Sequence, residues 1–375
     1  MPRQTLSLDA SAVDPIGALK RVGGVRHNTH MRRIAIAAAL LGAGAVAAVA
    51  APKVLHTFGD ALVRALHADP GWVVAAIALE LASFTAYIAL FWHVAGNRSP
   101  RIGLRASGEI ALASTAATRL LPTAGAGGAA LTFWSLRRAG QDNRAATSTL
   151  LSFLVVLYSV FLAAIAVSGG LIALGLAAGD GPLALSAIPA GAATLAIAAS
   201  LALGIRRPRT PARAGRLHAA ADVFGAGVRD AIGHVRSGDP RLLGALAWWT
   251  FDASVLWAML HAFGAPPPLA VVVLAYFVGQ VGNTLPIPGA VSGGIVGVLV
   301  AFAVPTDLAL VSVLAYRAIA IWLPAPIGLV ALGSLRRTIA RWGEEDAAPA
   351  AAPAPTPAAV ARTPRPCVER ELLAA

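Results

Sequence analysis

Six apolar runs, at 34–51, 72–95, 148–170, 183–205, 242–263 and 309–333, come close to or exceed the ~20 residues that cross a bilayer as a helix. The run at 34–51 is the shortest and is rich in Ala. Its Ala48-Val49-Ala50 resembles a signal-cleavage site, but the polar segment 1–33 ahead of it is far longer than an ordinary n-region, so it reads as a span. Two further apolar stretches, 107–136 and 269–304, are interrupted. The first contains Leu121-Pro122-Thr123-Ala124-Gly125-Ala126-Gly127-Gly128, and the second Leu285-Pro286-Ile287-Pro288-Gly289 followed by Ser292-Gly293-Gly294. Proline removes an amide donor and glycine weakens a helix, so neither stretch is one straight helix. Broken backbone at membrane depth survives only inside protein or along a wet cavity.

Charge decides how the broken stretches sit. Arg98, Arg101 and Arg105 precede the first, and Arg137, Arg138 and Arg144 follow it, so both its ends belong on the cytoplasmic side. A re-entrant hairpin satisfies this and a single crossing does not. The second stretch is flanked by Ala265-Pro266-Pro267-Pro268 and Pro305-Thr306-Asp307, without basic residues, and its ends fit the outside. With six full spans and two hairpins both termini lie in the cytoplasm, and 26 of the 30 basic residues fall inside. Only Lys53 and Arg64 fall outside, while Arg119 and Arg317 lie within the membrane. Eight plain spans also put both tails inside, but they place the 137–144 arginines outside.

Composition agrees. Hydrophobic residues make up 57% of the 375 and charged residues 13%, which excludes a soluble enzyme and a disordered chain. The net charge of +12 is a topology signal here rather than a sign of nucleic acid. The single cysteine, Cys367, lies in the C-terminal tail, and the eight histidines form no metal-binding pair, so no cofactor or metal is expected. The fold class is therefore all-α, a polytopic helical membrane protein of the plasma membrane. Residues 1–33 form a basic cytoplasmic tail and 34–335 the transmembrane domain. Residues 336–375 form an Ala/Pro-rich tail, and both tails are expected to be mostly disordered.

The two broken stretches resemble one another. Each has Leu-Pro, a short spacer and then Gly-Gly, and the preceding spans end in His93-x-x-Gly96 and His261-x-x-Gly264. The interval from Pro122 to Pro286 nearly equals that from His93 to His261. Each of those spans carries one acid, Glu80 and Asp252. The halves, about 34–175 and 183–335, read span, span, hairpin, span. Three crossings separate corresponding elements, which predicts an inverted repeat of the kind found in secondary transporters.

Glu80, Arg119, Asp252 and Arg317 lie deep, where a charge costs about 2.5–3.5 kcal/mol on insertion scales. Two acids and two arginines can neutralise one another as structural ion pairs, or an acid can carry a coupling proton. Alternatively the arginines hold an anionic headgroup, for which a planar guanidinium suits phosphate. Backbone N–H groups around Gly127, Gly128, Gly289, Gly293 and Gly294 are candidate donors at helix starts, with Asn283 and Ser292 as side-chain donors. Ser292 alone equally satisfies its own broken backbone. His93 and His261 near span ends read as solvated interfacial residues, Glu109 as a helix-start acid, and Trp248, Trp249 and Trp322 as interface anchors or packing. In 206–241, Leu217, Ala220, Phe224, Val228, Ala231 and Val235 recur at helical spacing amid eight arginines. That pattern fits an amphipathic helix on the anionic inner-leaflet lipid, or a solvated loop.

Asn283-Thr284-Leu285-Pro286-Ile287-Pro288-Gly289, Gly293-Gly294, Tyr316-Arg317, Trp322-Leu323-Pro324 and Gly328 together resemble the lysylphosphatidylglycerol synthase transmembrane-region family of flippase-like membrane proteins. The resemblance covers about 34–335. The family continues Pro-Gly-Gly-x-Gly and then an acid; here Ser292 stands near the acid's place. Family members that synthesise the lipid add a large soluble aminoacyl-transfer domain, which the short segment 336–375 does not supply. The resemblance therefore implies a stand-alone, non-enzymatic domain that translocates an anionic membrane lipid. An enzyme acting on a lipid phosphate and an accessory interaction protein are the alternatives, although no catalytic grouping stands out. No nucleic-acid partner is expected.

Overall fold

The computed structural model describes residues 67–120, 125–206, 216–285, 287 and 289–347. The expected span at 34–51, the basic segment 1–33 and the tail from 348 lie outside the described residues. Every regular element among those described is helical. They are α1 (Pro70–Gly96), α2 (Leu104–Leu120), α3 (Ala126–Arg138), α4 (Asn143–Ala173), α5 (Leu183–Ile205) and α6 (Arg216–Arg236). After a 3₁₀ turn at Pro240–Leu242 follow α7 (Leu243–Phe263), α8 (Leu269–Gln280) and a second 3₁₀ turn at Val281–Thr284. The chain continues with α9 (Ala290–Ala301), α10 (Thr306–Trp322) and α11 (Pro324–Ala347).

Helix starts follow the local sequence. The Asp69 carboxylate accepts from the Gly71 amide at 2.7 Å with Pro70 in the first turn, and Asp142 accepts from the Ala145 amide at 2.7 Å. Five helical segments among the described residues are long and apolar enough to cross a membrane: Pro70–Gly96, Asn143–Ala173, Leu183–Ile205, Pro240–Phe263 and Thr306–Ala347. They coincide with five of the runs read from the sequence. The last differs in form. The chain breaks at Leu323, because Pro324 has no amide hydrogen to continue the ladder, and α11 then runs on as a helix to Ala347. Leu335, Ile339 and Trp342 are buried, so the segment 336–347, expected as the start of a disordered tail, is instead packed helix.

α1 packs along α7 and α4 along α5, while α11 packs against α2. Both broken stretches turn back on themselves. In the first, Thr132 bonds Ser114 at 2.9 Å, and a Cβ on Gly128 would overlap Thr118, so 114 faces 132 and 118 faces 128. In the second, Gly279 abuts Gly294–Ile295 and Gly282 abuts Ala290–Val291. The helix after each tip starts from a left-handed glycine, Gly125 and Gly289, both at φ +81°, a conformation that admits glycine without steric cost.

The ends of the hairpins are fixed by contacts. The Ser99 hydroxyl donates to the Ala139 carbonyl at 2.8 Å, joining the two feet of the first hairpin. Arg98 donates to Ser148 at 3.0 Å and to Asp230 at 2.9 Å, and Arg101 pairs with Asp346. The three arginine-rich stretches and the end of α11 therefore share one end of the bundle. The feet of the second hairpin, Val271 and Phe302, pack against Gly179 and Gly181 beyond the far end of α4.

The segment expected as an amphipathic helix or a loop is a helix, α6. It does not present its apolar face wholly to lipid: Val228 and Ala231 are buried against α4 and α5. The seat is close, since a Cβ on Gly225 would lie 2.6 Å from the Leu203 carbonyl and one on Gly227 2.8 Å from Leu151 Cβ.

Candidate functional site

Residues flanking the turns of both hairpins, among them Arg119, Gly125, Asn283 and Gly289, meet around one charged centre. Arg119, at the end of α2, reaches across to α1 and α7. Its Nη1 lies 2.8 Å from Glu80 Oε1 and its Nη2 3.7 Å from Asp252 Oδ1. It also donates to the Ala320 carbonyl of α10. The mutually packed rings of Phe84 and Trp248 face the guanidinium at 5.4 and 5.7 Å, a pair of cation–π contacts. Glu80 and Asp252 are 0% and 1% exposed. Both acids thus serve one arginine, which corrects the expectation of two acid–arginine pairs.

A polar chain leads outward from Asp252. The Tyr276 hydroxyl donates to Asp252 Oδ2, and the Tyr316 hydroxyl donates to the same oxygen at 3.3 Å. Gln280 donates to Tyr316 at 2.8 Å, and Asn283, at the tip of the second hairpin, donates to Gln280 at 2.7 Å. Tyr276, Gln280 and Tyr316 went unread as site residues. Gln280 and Asn283, three apart in an otherwise apolar stretch, were the sequence signal, since that spacing puts them on one helical face.

Two spaces meet at this network. One, of about 180 Å³, is lined by Arg119, Asp252, Gln280, Asn283, Tyr316 and Arg317, with Gly128, Ser114 and Thr118 from the first hairpin. The other, of about 380 Å³, is lined by Arg119, Asn283, Gly289, Val291 and Arg317. Arg119, Arg317 and Asn283 line both. Arg317 is half-buried and, among the described residues, has no carboxylate within ion-pair distance.

The remaining expected donors are not all brought here. Gly127, Ser292, Gly293 and Gly294 line neither space. The Gly293 amide is spent on the Gly289 carbonyl at 2.8 Å, and Gly294 sits at the α8–α9 crossing against Gly279. Helix continuation and close packing claim these glycines.

Other expectations also change. His93 is buried, 3.0 Å from Asp239 and ring-to-ring with His234 at 5.2 Å. His261 packs between Trp257 and Trp72, with Nδ1 2.9 Å from the Trp257 carbonyl. His93 is thus not the solvated interfacial histidine expected, while His261 is half-buried in the last turn of its span. Glu109 binds Ser334 at 2.6 Å and Thr338 at 2.7 Å, tying α2 to α11. Trp248 and Trp249 are buried and only Trp322 is exposed, at 73%.

Apolar helices of spanning length around a buried charged centre, reached by two hairpins, define a multi-pass helical membrane protein. Residues 34–328 match the family described as lysylphosphatidylglycerol synthase TM region, and the chain belongs to that family. The membership ties the protein to membrane lipid. No curated protein sequence matches the chain.

Proposed function

We propose that this protein is a translocase that carries the headgroup of an anionic lipid between leaflets, with Arg317 as its principal phosphate ligand. The observation that carries this reading is the asymmetry between the arginines. Arg119 is held by two carboxylates, whereas Arg317 lines both spaces with no carboxylate to neutralise it among the described residues. A guanidinium in such a place offers two parallel N–H donors to a phosphate. Asn283 and the Val291 amide in the first turn of α9 supply further donors on the same wall.

The matching tips support an inverted repeat, since Pro122 and Gly125 of the first stand in the same relation to each other as Pro286 and Gly289 of the second. The hairpin feet at opposite ends of α4 support alternating access from the two sides. The sorting of basic residues supports a multi-pass protein of the plasma membrane with both termini in the cytoplasm.

The test is transport by the purified full chain in phosphatidylcholine vesicles carrying a trace of headgroup-labelled phosphatidylglycerol. Label in the inner leaflet should become accessible to an external quencher far faster than in empty vesicles, and Arg317→Met should abolish the gain. Equal rates with and without protein would overturn the proposal.

A further inference from the structure

The centre holds two carboxylates and one guanidinium. Glu80 comes from α1, Asp252 from α7 and Arg119 from α2. Among the described residues, the other titratable groups facing it are the phenols of Tyr276 on α8 and Tyr316 on α10, both donors to Asp252, those of Tyr87 on α1 and Tyr158 on α4 in the cavity wall, and Arg317 on the cavity side of α10. Arg317 makes no ion pair with either acid, so with both acids ionised the buried centre carries one uncompensated negative charge.

The orphaned atoms show where the imbalance sits. Glu80 Oε2 and Asp252 Oδ1 are fully buried and have no hydrogen-bond partner. Arg119 Nη2, at 3.7 Å from Asp252 Oδ1, is within ion-pair range but beyond a hydrogen bond. A buried, ionised carboxylate oxygen without a partner is costly, and a single proton removes both the charge and the orphan. A bare metal cation is a poorer occupant. Hard cations such as Ca²⁺ and Mg²⁺ gather about six oxygens, and here only two carboxylate oxygens are unengaged while both tyrosine hydroxyls are turned to Asp252 Oδ2.

We infer that the Glu80–Asp252 pair binds one proton at neutral pH and that this proton is coupled to the anion held at Arg317. With the proton bound, the centre is neutral and Arg317 is the net charge that faces the cavity among the described residues. When the proton leaves through Asp252, which lines the cavity, the centre becomes negative and repels an anion at Arg317. Proton and anion therefore bind together, and each strengthens the other by the same factor. With one proton per anion, affinity falls roughly tenfold for each pH unit above the pair's titration. The proton site stands by itself; only its role in carriage rests on the translocase reading.

Infrared spectroscopy of the purified full chain in detergent reads the proton directly. At neutral pH the expected result is the carbonyl band of a buried protonated carboxyl, shifted in D₂O and lost in Glu80→Gln or in Asp252→Asn. No such band in the parent protein, or one that survives in both variants, overturns the inference without any variant having to transport. Short-chain phosphatidylglycerol should bind the parent with the pH dependence given above and bind Glu80→Gln independently of pH. Binding that responds to sodium and not to pH would replace the proton with a cation.

Discussion

Replacing Arg119 and Arg317 in turn by methionine separates a structural charge from a working one. Methionine keeps the unbranched apolar stem and deletes the guanidinium. At Arg119 the deletion strands Glu80 and Asp252, which are essentially unexposed. Removing one partner of a buried ion pair costs ~3–5 kcal/mol. Two tyrosine hydroxyls still solvate Asp252, and the Arg119 side chain is 15% exposed, which favours the low end, about 3 kcal/mol. At ~2–4 °C per kcal/mol, Arg119→Met should lower Tm by roughly 6–12 °C. Arg317→Met strands no carboxylate, so its stability change should stay within about 1 kcal/mol. It does forfeit a charged, bidentate contact worth ~1.5–3 kcal/mol, or about 10- to 150-fold in affinity for a phosphate headgroup. The assays are thermal unfolding in detergent and headgroup flipping in vesicles, both on the same preparations. Arg317→Met that melts as early as Arg119→Met, or that flips lipid at the parent rate, would refute the division of roles.

Three further outcomes follow from the geometry. Gly128→Val would drive its Cβ into Thr118 Oγ1 and to 2.5 Å from the Ser114 carbonyl, spreading the first hairpin. An overpacking cost of ~1–3 kcal/mol should appear in thermal unfolding. In a Cys367→Ser background, Gly103→Cys and Arg144→Cys should react with an impermeant thiol reagent from one side of a sealed membrane and Asp180→Cys from the other; labelling 103 and 144 from opposite faces would turn the first hairpin into a crossing. Stability should fall between pH 7.5 and 5.5, because burial, with help from His93 and Arg98, holds the His234 imidazole below its ordinary value. The folded protein then favours the neutral ring, and the unfolded chain takes up protons first as pH drops below ~6.5. Asp230 is partly desolvated, but hydrogen bonds from Ser148 and Arg98 outweigh this and hold it below its usual range, so it weakens the fold only below ~3.8 and adds nothing in this window. His234→Gln should flatten the Tm profile there, and an unchanged slope would assign the sensitivity to another group.

Five spans were legible because apolar length alone marks them, and the first hairpin because arginines bracket it on both sides. The break at Leu323–Pro324 was visible as a proline but was absorbed into the apolar run 309–333. The continuation of α11 was hidden because 336–347 is polar in composition and becomes a helix through buried Leu335, Ile339 and Trp342 and through the Ser334 and Thr338 bonds to Glu109. At the centre, depth identified Glu80, Arg119, Asp252 and Arg317 as the charges to explain. Which acid met which arginine depended on helix rotation, which hydropathy does not encode. The glycines misled in part, since a small residue that opens a backbone for a ligand and one that lets two helices touch look alike until the partner helix is in place.

The glycine seat of α6 has a mechanical consequence. Because Gly225 and Gly227 bring its backbone against Leu203 of α5 and Leu151 of α4, and Val228 and Ala231 are buried beside them, α6 cannot shift without displacing those two spans. Its exposed positions, His218, Val223 and Arg236, are therefore a handle on the membrane-embedded core. An antibody fragment clamped there would add mass to a small particle for electron microscopy, and a fluorophore there would report any tilt of α4 and α5 to an observer outside the bilayer.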